Sequence, residues 1–133
     1  MNTITSVTKR ENYETEVKSG SGHVLIIDEP ESIGGKNKGM SPDEHIIAAL
    51  AGCTSATLKM YAQRKEWDLQ GVRTDIRIIH GEKPGILPTI ERDIELVGNL
   101  DEEQKARLLE IANKCPIHKL LTHEIQITSA LVG

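Results

Sequence analysis

Apolar and polar positions alternate through the first part of the chain. ITSVT (residues 4–8), YETEV (13–17) and HVLIID (23–28) each read as half-buried strands, and the turn-forming KSGSG separates the last two. An antiparallel meander is the arrangement this predicts. From Glu31 to Met40 the composition shifts to Gly, Lys and Asn, as in a mobile loop that could cover a site. The period then changes from two to 3.6. Ser41 is placed as an N-cap, Pro42 at the first helical position and Glu44 three residues after the cap, a capping box at the head of a long helix running to Trp67. Ile46, Leu50, Cys53, Thr57 and Met60 recur every three or four residues, which predicts a buried stripe containing Cys53. Ala48, Ala49, Ala51 and Gly52 crowd around it and allow close approach of another backbone, and a glycine inside a helix costs about 1 kcal/mol relative to Ala, so something must justify Gly52.

Alternation returns in VRTDIRIIH (72–80), with Val72, Thr74, Ile76 and Ile78 on one face, and in TIERDIELV (89–97), with Ile90, Ile94 and Leu96. GEKPGILP joins them as a hairpin. Asp101 caps a second helix with Gln104 at the capping-box position, and Leu108, Ile111, Ala112 and Cys115 form its apolar face. A short turn through His118 to Leu121 leads to a final strand, EIQITSALV (124–132). The order βββ-α-ββ-α-β clusters strands rather than alternating βαβ, which predicts an α+β fold, antiparallel sheets packed with two main helices, in one domain over residues 1–133.

Composition sharpens this picture in three ways. The chain has no Phe, one Trp and two Tyr in 133 residues, so its core must be Ile, Leu, Val and Ala, with apolar surface left for a partner chain. The net charge of −4 comes from interspersed acids and bases, with no basic stripe or aromatic platform, which argues against nucleic acid binding. No run approaches the roughly 20 apolar residues that span a bilayer, and residues 1–20 lack an apolar signal region, so the expected location is the cytoplasm.

Two cysteines 62 positions apart do not make a secreted disulfide scaffold, and any pairing between them is expected to be transient. Pro116 lacks an N–H and suits a first helical position, so it ends one helix and begins the next turn with Cys115 as N-cap. There the sulfur faces free backbone N–H groups, a setting that favours thiolate. Cys53, in mid-helix, has no such help, and Lys59 and Arg64 lie more than a turn away. Its donor or cation must come from elsewhere in the fold. A thiolate can attack a peroxide to give a sulfenic acid, a second thiol converts this to a disulfide, and an external dithiol restores both. Periodicity alone does not bring the two cysteines together, so two unrelated core cysteines stand as the alternative.

PDEHIIAALAGC followed at a distance by KCPIHKLL resembles the OsmC/Ohr family of organic hydroperoxide reductases, and the resemblance covers essentially the whole chain, with SGSGHVLIID closest to the smaller YhfA-like branch. It implies that Cys53 is the peroxidatic nucleophile and Cys115 the resolving thiol, in defence against oxidative stress and with no cofactor. It also implies an intertwined homodimer with sites at the interface, and reduction by a dithiol, lipoylated proteins in the peroxidase branches. Those branches add an acid early in the first helix and an arginine from the N-terminal hairpin, which fall here on Asp43 or Glu44 and on Arg10. Glu44 and Asp43 are equally explained by the capping box and by charge at a helix start.

Two other readings stay open. Cys115 and His118 have C-x-x-H spacing, and Cys53 could add a third ligand to a zinc or iron site, although none of His23, His45, His80 and His123 falls at a diagnostic spacing. Alternatively, a non-enzymatic dimer holds a hydrophobic small molecule between its long helices and the cysteines merely line the cleft.

Overall fold

A computed structural model of the chain describes residues 2–133. It resolves into two compact units, Met1–Ile46 and Ile47–Gly133. The N-terminal unit is the expected meander: β1 (Ile4–Thr8), β2 (Thr15–Ser19) and β3 (Val24–Ile27) pair antiparallel in that order. Val17 faces Ser6 on one side and Leu25 on the other, and it is the buried residue of the sheet.

The Gly/Lys-rich segment after β3 is more ordered than its composition predicts. Asp28 is 1 % exposed, and its carboxylate accepts from the backbone N–H groups of Glu29 (2.8 Å), Lys38 (3.2 Å) and Lys36 (3.3 Å). Burial opposes ionisation of this carboxyl, but the three N–H donors outweigh it and hold it below its ordinary value. A single 3-10 turn, Glu31–Ile33, folds inside the loop, and Gly35 is obligatory because a Cβ there would stand 1.9 Å from the carbonyl oxygen of Glu29. The unit ends with the first turn of α1 (Pro42–Lys65), where the expected capping box is formed: Glu44 N–H donates to Ser41 Oγ (3.3 Å) and Ser41 N–H to Glu44 Oε1 (3.0 Å).

In the C-terminal unit α1 continues to Lys65 and stops at Glu66, whose φ of 57° is left-handed. β4 (Asp68–Ile79) and β5 (Thr89–Asn99) form the hairpin, with Val72 opposite Leu96, Thr74 opposite Ile94, and a bulge between Leu69 and Gly71. Asp101 caps α2 (Glu102–Ala112) with both bonds of the capping box to Gln104, and α3 (Pro116–Leu121) follows. The core joins Leu58 and Ala62 of α1, Leu69 of β4, and Leu108, Ile111 and Ala112 of α2, ringed by Tyr61, Trp67, Val72, Ile94, Leu96 and Leu100. The apolar face read from the second helix is therefore the buried one, Cys115 included.

Three expectations need correction. The buried line of α1 is Leu50, Thr54, Leu58 and Ala62, while Ile46 and Met60 are exposed and Cys53 is half-buried on the flank. With apolar or small residues on several faces of α1, spacing alone could not choose the face that packs. Gly52 meets no neighbour in this chain, so no backbone approach within the chain accounts for it. Residues 124–133 form no ladder among the described residues, and Ile125, Ile127, Leu131 and Val132 are exposed. A strand exists only through hydrogen bonds to a neighbouring edge, and the alternation of EIQITSALV finds none here.

Replacing Asp28 by Asn is expected to accelerate hydrogen exchange at the Lys36 and Lys38 amides by about tenfold or more at pH 7. Because the folded carboxyl lies below its unfolded value, the stabilisation it gives is complete above that unfolded value and is lost as pH falls through the folded one. The difference between wild type and Asp28→Asn should vanish on acidification. Exchange rates at the two amides that do not respond to the substitution would refute this account of the loop.

Candidate functional site

Segments of α1, α2 and α3 in the C-terminal unit meet at the two sulfurs. α2 ends through a tight turn in which Lys114 N–H donates to the Ile111 carbonyl and Cys115 N–H to that of Ala112. Cys115 then leaves the helix with extended backbone (φ −62°, ψ 140°), and Pro116 opens α3. This is the N-cap geometry read from the sequence. The Cys115 sulfur accepts from the His118 N–H at 3.2 Å and is fully buried. The adjacent amide of the same turn, Ile117 N–H, points to Cys53 Sγ at 3.5 Å. Cys53 thus finds its donor on the segment that carries the other cysteine, and the two thiols, both free, are held by neighbouring peptide groups. Such N–H donors stabilise negative charge on sulfur when it forms.

β5 joins this site through Arg92. Its inward positions run Ile90, Arg92, Ile94, Leu96, each partly buried between exposed neighbours, and Arg92 stands opposite Ile76. Its guanidinium donates to Thr54 Oγ1 (2.9 Å) on α1, Asn113 Oδ1 (3.1 Å) at the end of α2, and His118 Nδ1 (3.3 Å) on α3. Thr54, fully buried, donates in turn to the Leu50 carbonyl at 2.7 Å. Burial, and after it the charge of Arg92, push the His118 imidazole below its ordinary value near 6.5. Sequence reasoning missed Arg92, yet the signal was present: an arginine occupies an inward position of an otherwise apolar strand face.

The remaining candidates lie in the N-terminal unit. Glu44 is committed to the Ser41 cap, whose backbone and hydroxyl bonds hold its carboxyl below the ordinary value. Asp43 shares that first helical turn. Arg10, in the turn after β1, lines a cavity of about 260 Å³ with Lys9, Asn12, Asp28, Lys36 and Lys38. Among the described residues no group of three or more His, Cys, Asp or Glu side chains converges as metal ligands would, and His118 Nδ1 is already occupied by Arg92.

The family model described as OsmC-like protein matches residues 35–130, which include both cysteines, Arg92 and His118. The chain belongs to the OsmC-like family. Solved structures agree on the fold of this OsmC-like protein. An OsmC-like protein of Mycoplasma pneumoniae superposes with a TM-score of 0.77 at 20% identity, over 91% of this chain and 86% of that one. An organic hydroperoxide resistance protein of Legionella pneumophila gives 0.70 at 17% identity, over 92% and 89%. One of Bacillus subtilis gives 0.65 at 20% identity, over 92% and 90%. No curated relative matches the sequence. No helix among the described residues is long and apolar enough to cross a membrane.

Two outcomes test this geometry. Thr54→Val keeps the shape but leaves the Arg92 donor without its buried acceptor, and is expected to cost about 1–3 kcal/mol in denaturant unfolding. A loss below a few tenths would mean the bond contributes nothing. His118, its folded value depressed, should titrate by NMR below 6.5. Since the unfolded chain then binds the proton more readily, this group adds stability as pH rises through the window below 6.5 and withdraws it as pH falls. Titration at or above that value would contradict the cluster.

Proposed function

We propose that this OsmC-like protein is a thiol-dependent peroxidase that reduces organic hydroperoxides, acting in the cytoplasm in defence against oxidative stress. One observation carries the reading: the two sulfurs occupy adjacent amides of a single helical turn. The solved structures of Legionella pneumophila and Bacillus subtilis named as organic hydroperoxide resistance proteins support it by their shared fold.

The half-buried Cys53 is the nucleophile. Its thiolate attacks the O–O bond of ROOH, the outer oxygen passes to sulfur as a sulfenic acid, and RO⁻ takes up a proton to leave as the alcohol. The buried Cys115 thiol then displaces water from the sulfenic acid to give the Cys53–Cys115 disulfide. An external dithiol, a lipoylated protein in this proposal, reduces that disulfide and closes its own ring. Asp43 or Glu44, with Arg10, completes the reading as the pair that polarises the nucleophile.

A homodimer is part of the proposal. Ile125, Ile127, Leu131 and Val132 carry strand alternation with no ladder among the described residues, and Gly52, beside Cys53, faces open space in one chain. A second copy is the natural means of covering both.

With a small dithiol present, wild-type protein should consume an organic hydroperoxide, and Cys53→Ser should abolish consumption. Cys115→Ser, given the peroxide without dithiol, should consume about one equivalent and leave a sulfenic acid on Cys53 that dimedone traps. Turnover that survives Cys53→Ser would remove this assignment. An inert protein that retains an apolar small molecule through purification would replace the peroxidase with a binding module.

A further inference from the structure

Arg92 differs from the other arginines of its hairpin. Arg77 donates to both Glu91 and Asp93, and Arg73 lies near Asp75, so each meets a carboxylate. Arg107, on α2, meets Glu110. The described partners of Arg92 are a hydroxyl, a side-chain amide oxygen and an imidazole nitrogen, all neutral acceptors. Among the described residues no carboxylate meets this partly buried guanidinium, which leaves it an open half of an ion pair. The position of that open charge is specific. Thr54 follows Cys53 in the chain, and His118 follows Ile117, whose N–H reaches Cys53 Sγ. Arg92 therefore grips, one residue further along, both segments that meet at the sulfur.

The contact with His118 has a second consequence. Arginine offers only donors, so His118 Nδ1 must accept, and a neutral imidazole that accepts at Nδ1 carries its proton on Nε2. Its Nδ1 lone pair is then unavailable to take a proton from either thiol. The depressed imidazole value agrees with a ring kept neutral beside a fixed cation. The C-x-x-H spacing looks like a cysteine–histidine pair, but the geometry removes the histidine as a base there.

We propose that Arg92 is a positioning residue of the cysteine site: it supplies the positive charge that compensates the anionic Cys53 sulfur, and it fixes His118 as the neutral Nε2–H tautomer. The inference rests on Cys53 as the reacting thiol of the peroxidase reading, but not on the identity of the peroxide. In the ionisation it assists, the thiol proton passes to solvent and the anion stays on sulfur.

The test uses the full chain with alkylation rather than peroxide as the first readout. The Cys53 thiolate attacks the methylene carbon of iodoacetamide, forming a C–S bond as the C–I bond breaks and iodide leaves, and the modified residue is identified by mass spectrometry. At a fixed pH, Arg92→Gln should slow Cys53 alkylation by about tenfold or more, Arg92→Lys should recover a substantial part of the rate, and Arg77→Gln should stay within about twofold of wild type. Nitrogen-15 NMR of the wild type should show His118 unprotonated at Nδ1 and protonated at Nε2, and Arg92→Gln should raise its titration point.

Equal loss in Arg92→Gln and Arg92→Lys would show that shape and not charge matters, and would overturn the inference. So would wild-type alkylation in Arg92→Gln. If Arg92→Gln does not fold, the wild-type tautomer still decides, because a proton on Nδ1 is incompatible with the contact. A wild type that consumes no peroxide but shows these alkylation and NMR differences loses the peroxidase reading and keeps the role of Arg92. Peroxide turnover together with alkylation that is indifferent to Arg92→Gln has the opposite meaning.

Discussion

The first turn of α3 is the constraint around which the cysteine site is arranged. Its amides at Ile117 and His118 point at two sulfurs from different helices, so the backbone that terminates one element also joins two functional groups. This requires a sharp break after α2, and Pro116 enforces it by removing a donor the helix would otherwise need. It also requires a residue at the break whose side chain can accept, and Cys115 serves there as serine or aspartate does in other caps. The cysteine is therefore part of the helix cap itself.

Arg92 shows how a local exception marks a site. β5 obeys its alternation at Ile90, Ile94 and Leu96, whose side chains meet the hairpin partner or the core, and departs from it at Arg92 alone. A charge on an apolar face is costly unless its hydrogen bonds are satisfied. Here three neutral acceptors from three elements satisfy them, with the fully buried Thr54 among them. Chains are mostly consistent across local propensity, pattern and packing, and tend to break one rule where chemistry is done.

The same principle of satisfying a buried charge organises the N-terminal unit by different means. Asp28 is met chiefly by backbone amides, and those bonds help to fix a Gly- and Lys-rich segment as a defined loop around a 3-10 turn. The composition of that segment predicted mobility because it is dominated by Gly, Lys and Asn. Besides its own turn hydrogen bonds, it is ordered by a carboxylate that precedes it, through contacts over eight and ten residues that composition does not register.

The sequence by itself determined the elements whose signals are local. Capping boxes at Ser41 and Asp101, the proline break after Cys115, the alternation of the hairpin and the α2 face were all legible, because each depends on residues within one or two turns or strands of one another. The two cysteine motifs likewise carried the family resemblance that the family match bears out. Only the tertiary structure decided which face of α1 is buried, since several faces are apolar and packing chose the line from Leu50 to Ala62. It also decided that the donor for Cys53 is a backbone amide 64 residues away and that an arginine from β5 stands between the helices. EIQITSALV marks the boundary between the two kinds of information. Its alternation fixed a capacity to pair, but a strand is completed by another edge, and the described chain does not supply one.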